Sequence, residues 1–310
     1  MTQAVIAIHG GAGSFEGLKW RQEAPFRENM ALACEAAAAH QGDAVEMALA
    51  AVAQMEQSGA FNAGKGSVLN ENGDQYLDGA VARGWDANFG AVAHVSATYS
   101  VAHLAKAVME RSAHSFLVGA GADALAKDLN LPALELPNAA LQKVYRELKD
   151  GEKQKEKLGT FSFGGETDTV GAVALDTQGR LAAVGSTGGT WLKALGRVGD
   201  TPVLGSGFYA DTHRAVCATG VGEILMRGLA ATRVAQCCMD GLSPQKATEK
   251  VSKVLAEMFE VDSAGFIALS HDGQLGFAMN TKGMGRAFWR IGEAQGPQQA
   301  IWPHEDLKPL

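Results

Sequence analysis

The chain has 310 residues, 46% of them hydrophobic and 20% charged, which is enough apolar material for one large domain and too much for a disordered chain. Its 27 Lys and Arg against 34 Asp and Glu leave a formal net charge of −7. With no basic block to grip phosphates, nucleic acid is not an expected partner. No run of 18 apolar residues occurs, and Met1 to Ile8 lacks the basic flank and apolar stretch of a signal peptide, so no membrane partner and a cytoplasmic location are expected.

Cys34, Cys217, Cys237 and Cys238 form no CxxC pair and are too sparse for a disulfide framework. Cys237 and Cys238 lie in an Ala-rich helical pattern and read as buried free thiols. The histidines form no HExxH or i, i+4 pair, which leaves no transition-metal site in the pattern. Glycine is in excess at 38 residues, so many tight turns or close backbone approaches are expected.

In chain order, Val5–Ile8 predicts a buried strand entering a glycine loop, His9 to Gly13. Arg21–His40 and Asp43–Gln57 predict two helices, the second opened by a capping box of Asp43 with Glu46. A second glycine loop, Phe61 to Ser67, precedes a hairpin of Ser67–Asn70 with Gln75–Val81 across an Asn72-Gly73 turn. Ala91–Val95 and Ser115–Val118 read as strands, Val101–Glu110 as a helix, and Gly121–Lys127 as the start of another. Apolar periodicity then fades after about Leu148, and residues 149–168 read as a flexible tether.

Beyond the tether, Thr169–Asp176 and Leu181–Ser186 are apolar, β-branched runs that predict a central hairpin. Val203–Tyr209 and Ala215–Thr219 read as strands, Gly222–Cys238 and Ser243–Phe259 as helices, and Gly265–Ser270 with Leu275–Met279 as a last hairpin. Two runs of strands, each with its helix pair, predict stacked antiparallel sheets covered by helices in one structural domain.

Three glycine motifs imitate known signatures without completing them. Gly59 to Gly66 has Gly66 where a P-loop needs Ser or Thr for Mg²⁺. Gly119 to Ala124 lacks the βαβ context of a dinucleotide fingerprint and reads as a helix start against a strand. His9-Gly10-Gly11 partly matches an esterase oxyanion loop, yet no GxSxG elbow exists in the chain.

The junction Asp168-Thr169 places a tether directly before the most apolar strand. Cleavage there would leave Thr169 with both a hydroxyl nucleophile and an α-amino base, which titrates near 7.7 to 8.0 and can take the hydroxyl proton at neutral pH.

At this point the residues resemble the plant-type asparaginases, or isoaspartyl peptidases, of the N-terminal-nucleophile hydrolases. The resemblance rests on His9-Gly10-Gly11-Ala12-Gly13, Phe61-Asn62-Ala63-Gly64, Thr169 to Ala174, Ser186-Thr187-Gly188-Gly189, Gly196 to Asp200 and Thr219 to Glu223, in family order from residue 9 to about residue 285. It implies a four-layer αββα sandwich of the α/β class. It also implies autocleavage into residues 1–168 and 169–310, and pairing of two cleaved heterodimers.

The resemblance makes Thr169 the nucleophile, Thr187 its hydrogen-bonding partner, and Thr219 with the Gly220 N–H the oxyanion site. Asn62 would support the nucleophile's surroundings. Arg197 would clamp the substrate α-carboxylate, Asp200 would accept its α-ammonium, and Gly222 would allow close approach. No catalytic cofactor is implied. A structural sodium ion is, held by backbone carbonyls of Met55, Glu56, Ser58, Phe61, Ala63 and Lys65. The implied reaction is attack on the β-linked carbonyl of asparagine or of β-aspartyl dipeptides. The alternatives are a glycosylasparaginase-like amidase and an uncleaved homologue that binds aspartate-like ligands without turnover.

Blander readings stand beside these. Thr169 can be an ordinary strand residue, Thr187 and Thr219 strand-end or turn hydroxyls, and Arg197 and Asp200 a mutual surface pair. Glu223 with Arg227 at i, i+4 reads as an ion pair. His9 reads as a structural loop histidine, and Gly10-Gly11 as a close approach supporting the nucleophile strand. Departures from the family pattern are Asp168, where many members have glycine, Val221 beside the oxyanion site, and Thr190 to Leu195, where Trp191 would edge the pocket.

Overall fold

The computed structural model describes residues 2–13, 23–157, 169–259 and 263–307, with side chains in the long helix before residue 158 described only through 151. Asp168 and the tether residues 158–168 lie outside the described residues.

In chain order the elements are β1 (Val5–Gly13), α1 (Glu23–Ala38), α2 (Ala44–Ser58), a short 3₁₀ turn (Gly64–Gly66), β2 (Leu77–Arg83), β3 (Asn88–Val95), α3 (Val101–Arg111), β4 (Phe116–Val118), α4 (Ala120–Asp128) and α5 (Ala139–Lys157). The second half runs β5 (Val170–Leu175), β6 (Leu181–Thr187), β7 (Phe208–Ala210), β8 (Arg214–Gly220), α6 (Gly222–Arg227), α7 (Ala230–Met239), α8 (Pro244–Phe259), β9 (Ala264–Ser270), β10 (Leu275–Met279), β11 (Gly283–Arg290) and β12 (Gln298–Ala300).

The strands form an 8-stranded sheet, β12-β11-β1-β5-β6-β2-β3-β4, and a 4-stranded sheet, β10-β9-β8-β7. Every pairing is antiparallel except that of β3 with β4. Strand alternation sorts the core into three layers. Along β5, Ala172 and Ala174 face α2 and α3 in a cluster with Ile6, Ile8, Met47, Met55 and Val184. Val173 and Leu175 face the other way, against Cys217, Ile267 and Leu269 of the second sheet. Val216, Ala218, Phe266 and Ala268 on that sheet's outer face pack against Val234, Val251 and Leu255 of α7 and α8. A strand buried on both faces must be apolar at every position, and β5 is. The expected helix–sheet–sheet–helix sandwich is therefore the observed architecture.

Local chemistry accounts for the element ends. The Asp43 carboxylate accepts the N–H groups of Val45 and Glu46 and caps α2, but Glu46 pairs with Lys106 at 2.6 Å instead of closing the box. Gly59, with φ of 70°, ends the helix.

Several sequence expectations need correction. His9 to Gly13 is not a loop: β1 continues through it, past a bulge between His9 and Ala12, because β11 supplies ladder partners out to Gly13. Gly10 serves helix packing, since a Cβ there would lie 2.7 Å from Phe26 and 2.8 Å from Phe61. Ser67–Asn70 forms no strand. The Asn70 side chain takes the N–H groups of Asn72 and Asp74, which closes a tight turn, while β2 pairs with β3 and β6.

Residues 203–207 are turn, and only Phe208–Ala210 continues as strand. The helix expected over Gly222–Cys238 breaks into α6 and α7 at Leu229, whose φ is 46°. The last hairpin is followed by β11 and β12, which rejoin the large sheet beside β1. The tether expectation fails over 149–157, which belong to α5. Its Lys-, Glu- and Gln-rich sequence favours helix, and Leu141, Val144 and Tyr145 anchor it on Trp191, Val68 and Leu69. Cys34 and Cys217 are buried free thiols, whereas Cys237 and Cys238 on α7 are only half-buried. No helix among the described residues is long and apolar enough to cross a membrane.

Candidate active site

The central β5–β6 pair puts the two key threonines at one sheet end. Val170 stands opposite Ser186, so Thr169, just before β5, meets Thr187, the last residue of β6. The Thr169 hydroxyl donates to Thr187 Oγ1 at 3.0 Å, and both side chains are almost fully buried. Thr187 Oγ1 also accepts the Gly189 N–H at 2.9 Å. That amide can only donate, so the lone pairs of Thr187 are committed. Its own proton is free to turn toward Thr169 Oγ1 when that oxygen becomes electron-rich.

Asn62 secures the turn that follows. Its Nδ2 donates to Gly189 O at 2.6 Å, its Oδ1 accepts the Val68 N–H at 2.9 Å, and its carbonyl accepts the Gly188 N–H at 3.1 Å. Gly189 has φ of 78°, a left-handed conformation that glycine adopts without steric cost. From the second sheet, β8 packs across β5 and β6 and ends at Thr219-Gly220. The Thr219 hydroxyl is buried with no hydrogen-bond partner among the described residues. Such an atom is costly to leave unsatisfied unless a ligand engages it.

Arg197, Asp200 and Gly222 come together beside this cluster. A Cβ on Gly222 would lie 2.8 Å from Arg197 Nη2 and 3.1 Å from Asp200 Oδ1, so only glycine leaves room for that approach. Arg197 and Asp200 do not form a direct ion pair among the described contacts. Arg197 donates from Nε and Nη2 to the two Glu223 oxygens at 2.9 and 3.0 Å. Its remaining end-on edge, Nη1 with Nη2, stays available to a planar anion. The expected Glu223–Arg227 pair is thus replaced, and Arg227 lies over the Phe259 ring at 4.6 Å.

Burial dominates the electrostatics here. It raises the Asp200 pKa to about 7, against the pull of Arg197, and Asp200 Oδ2 has no hydrogen-bond partner among the described residues. Partial burial would raise Glu223 as well, but the hydrogen bond and charge of Arg197 hold it below the usual carboxylate range. His9 is fully buried, and burial takes its pKa down to about 3, the hydrogen bond with the Thr169 backbone opposing. It is therefore a neutral imidazole packed beside the nucleophile strand, opposite Gly171, in a strand and not a loop.

Two charged residues escaped the sequence reading. Asp78 on β2 stands opposite Thr187 and is fully buried, its Oδ1 accepting the His94 N–H at 2.8 Å. Lys193 is 5% exposed, and its Nζ donates to Tyr76 O at 2.7 Å. Burial pushes Asp78 up and Lys193 down, and each opposes the other's shift. The available signal was a lone carboxylate in the apolar run Leu77–Ala82. Trp191, two residues beyond Gly189, is 7% exposed and packs under α5 with Leu141.

The segment Met55–Lys65 closes α2 and crosses the 3₁₀ turn. Ser58 Oγ donates to Met55 O at 2.8 Å, and Gly66 N–H donates to Ala63 O at 3.1 Å. A Cβ on Gly66 would run into the backbone carbonyl oxygens of Gly59 and Phe61, so the turn needs glycine there. A separate cleft of about 1300 Å³ runs between α8, β10 and residues 303–307, and none of the threonine cluster lines it.

The fold and this cluster define a four-layer sandwich with a threonine hydroxyl at the head of a central strand. A family model described as asparaginase matches residues 2–296. The chain is 38% identical over 298 residues to a plant-type L-asparaginase of Pyrobaculum calidifontis, covering 94% of this chain and 98% of that one. It is 37% identical over 310 residues to an isoaspartyl peptidase of Escherichia coli, covering 94% and 95%, and 36% identical over 306 residues to one of Salmonella typhimurium, covering 94% and 97%. The chain belongs to this asparaginase family.

Proposed function

We propose that the protein is an autoprocessing threonine hydrolase acting on L-asparagine and β-aspartyl dipeptides. The observation that carries this reading is the Thr169–Thr187 hydroxyl pair at 3.0 Å, buried at the head of β5, the strand that β8 crosses with its buried Thr219.

Maturation begins when Thr169 Oγ1 attacks the Asp168 carbonyl. The acyl group moves from nitrogen to oxygen, and water hydrolyses the ester, leaving the Asp168 carboxylate and the Thr169 ammonium. Cleavage yields chains of 168 and 142 residues, the second being 310 − 168. In turnover the free amine takes the Thr169 hydroxyl proton and Oγ1 attacks the β-carbonyl of the substrate. Thr219 and the Gly220 amide receive the oxyanion, and such a donor is worth about 2.7 to 4 kcal/mol in the transition state. The ammonium donates its proton to the departing ammonia or amino acid, and water then hydrolyses the acyl-threonine ester. Thr187 donates to Oγ1 as it leaves. Arg197 and Asp200 hold the α-carboxylate and α-ammonium, which restricts turnover to side-chain-linked aspartyl groups.

A structural sodium ion in the Met55–Lys65 loop belongs to the same reading, held by carbonyls of Met55, Glu56, Ser58, Phe61, Ala63 and Lys65. Carbonyl oxygens suit a hard cation. The ion would fix the loop that carries Asn62 and takes no part in bond making. Pairing of two cleaved heterodimers and a cytoplasmic location complete the proposal, the latter supported by four free cysteines.

The test is the intact mass of aged protein under denaturing conditions, with release of ammonia from L-asparagine and of leucine from β-aspartyl-leucine. Two fragments and both releases are expected. Thr169→Ala should abolish cleavage and hydrolysis together, and hydrolysis retained in that variant would overturn the mechanism.

A further inference from the structure

We infer that Lys193 is a second cation of the substrate-carboxylate site, acting beside Arg197 and setting affinity for the α-carboxylate. This rests on the functional reading above and adds a residue to it.

Geometry carries the argument. A Cβ placed on Gly189 would lie 3.0 Å from Lys193 Nζ and 3.1 Å from Arg197 Nη1, so the two cationic atoms border one point and are no more than about 6 Å apart. The same Gly189 donates its N–H to Thr187 Oγ1, the partner of the nucleophile. Both cations therefore flank the turn that adjoins the reacting hydroxyl. Arg197 reaches this point with Nη1, the nitrogen that Glu223 leaves free.

A lysine that served only to brace the turn could be replaced by a neutral donor to Tyr76 O. An ammonium taken out of water carries a large desolvation cost, which has to be offset by nearby charge. The protein supplies Asp78 on β2, a buried carboxylate whose charge acts on both Lys193 and Arg197 and which the Gly199 backbone also engages. Arg197 repels Lys193, and Asp200 and Glu223 face the Arg197 side of the cluster. Two cations held near each other with Nη1 uncommitted form a field suited to a carboxylate, which would relieve their repulsion on binding. The small Gly189 leaves the approach unobstructed.

The test separates this role from a structural one. Lys193→Met and Lys193→Arg are prepared, and autocleavage is checked by mass. KM and kcat are measured for L-asparagine and for L-aspartic acid diamide, which keeps the side-chain amide and replaces the α-carboxylate by a neutral group. L-Aspartate binding is followed by calorimetry. Lys193→Met should raise KM for asparagine and weaken aspartate binding by about tenfold, equivalent to ~1.4 kcal/mol, with kcat changed less than about twofold. Lys193→Arg should recover most of the loss, and the diamide should show no penalty. An equal penalty on both substrates, or unchanged aspartate binding, overturns the proposal. If Lys193→Met fails to cleave, Lys193→Arg against Lys193→Gln gives the same comparison. A wild-type protein that neither hydrolyses asparagine nor binds aspartate refutes the functional reading instead.

Discussion

Glu223 occupies the Nε–Nη2 edge of Arg197 at 2.9 and 3.0 Å, and so turns Nη1 of the guanidinium toward Gly189 and Gly199. The carboxylate sets the angle of the clamp without touching the nucleophile. Glu223 is 42% exposed at its side chain, which limits the energy of the pair in water. Glu223→Gln should raise KM for L-asparagine about fivefold, near 1 kcal/mol, and leave kcat intact. Steady-state kinetics decide it: a fall in kcat with unchanged KM would show that Glu223 acts on the chemical step.

Thr187 makes a different prediction. Its Oγ1 is fixed by the Gly189 amide, which aims its proton at Thr169 as negative charge develops there. Thr187→Ala should lower kcat by about 10² to 10³, the range seen when one preorganised donor is removed, and slow autocleavage as well. Thr187→Ser keeps the oxygen and should retain most activity. Equal losses in both variants would assign the effect to the methyl group and its packing.

The glycines of the nucleophile strand can be tested by stability. A Cβ at Gly171 would overlap His9 Nε2 and lie 3.0 Å from the Cβ of Cys217, with both neighbours buried. Gly171→Ala should therefore cost roughly 1 to 3 kcal/mol in urea unfolding. Gly121, inside α4 with nothing within 4 Å of its would-be Cβ, should behave oppositely. Gly121→Ala should stabilise by roughly 0.4 to 1 kcal/mol through the unfolded chain. Destabilisation by both would show that backbone conformation, and not contact, controls these sites.

Most of the sandwich was legible because apolar runs and capping residues declare themselves locally. The β5–β6 hairpin, α1, α2, α3 and α8 stand within a few residues of where periodicity puts them. What sequence did not disclose depends on distant partners. His9 to Gly13 is strand only because β11, some 270 residues later, pairs with it. Residues 149–157 look solvated and are helical through anchors at Leu141, Val144 and Tyr145 on Trp191. At the site, resemblance pointed to the threonines, Arg197 and Asp200. The true partner of Glu223 depends on a turn that carries Arg197 to α6, while local i, i+4 spacing favours Arg227. Lys193 was hidden because it looks like an ordinary surface charge until the fold buries it near Asp78, whose own signal was its place in the apolar run Leu77–Ala82.

Asp200 makes a prediction that combines stability with pH. Burial raises its folded-state pKa to about 7, against 3.8 for the unperturbed group. Between those values the folded state holds a proton that the unfolded chain has released. Stability contributed by this group is therefore fully present below about pH 4 and is lost as pH rises toward 7, by up to about 4 kcal/mol for a shift of this size. Asp200→Asn cannot ionise, so its stability relative to wild type should improve steadily across that window and level off above about pH 7.5. Activity runs the other way, since the substrate ammonium needs the carboxylate. The wild-type kcat/KM should rise with pH as both Asp200 and the Thr169 amine lose their protons, and Asp200→Asn, with a much weaker KM for asparagine, should keep only the amine's limb near 7.7 to 8.0. Thermal unfolding of both proteins in substrate-free buffer from pH 4 to 8 measures the first effect. A difference that stays flat across this range would mean that Asp200 is ionised throughout in the folded protein, already paired with the positive charge of Arg197 before any substrate arrives.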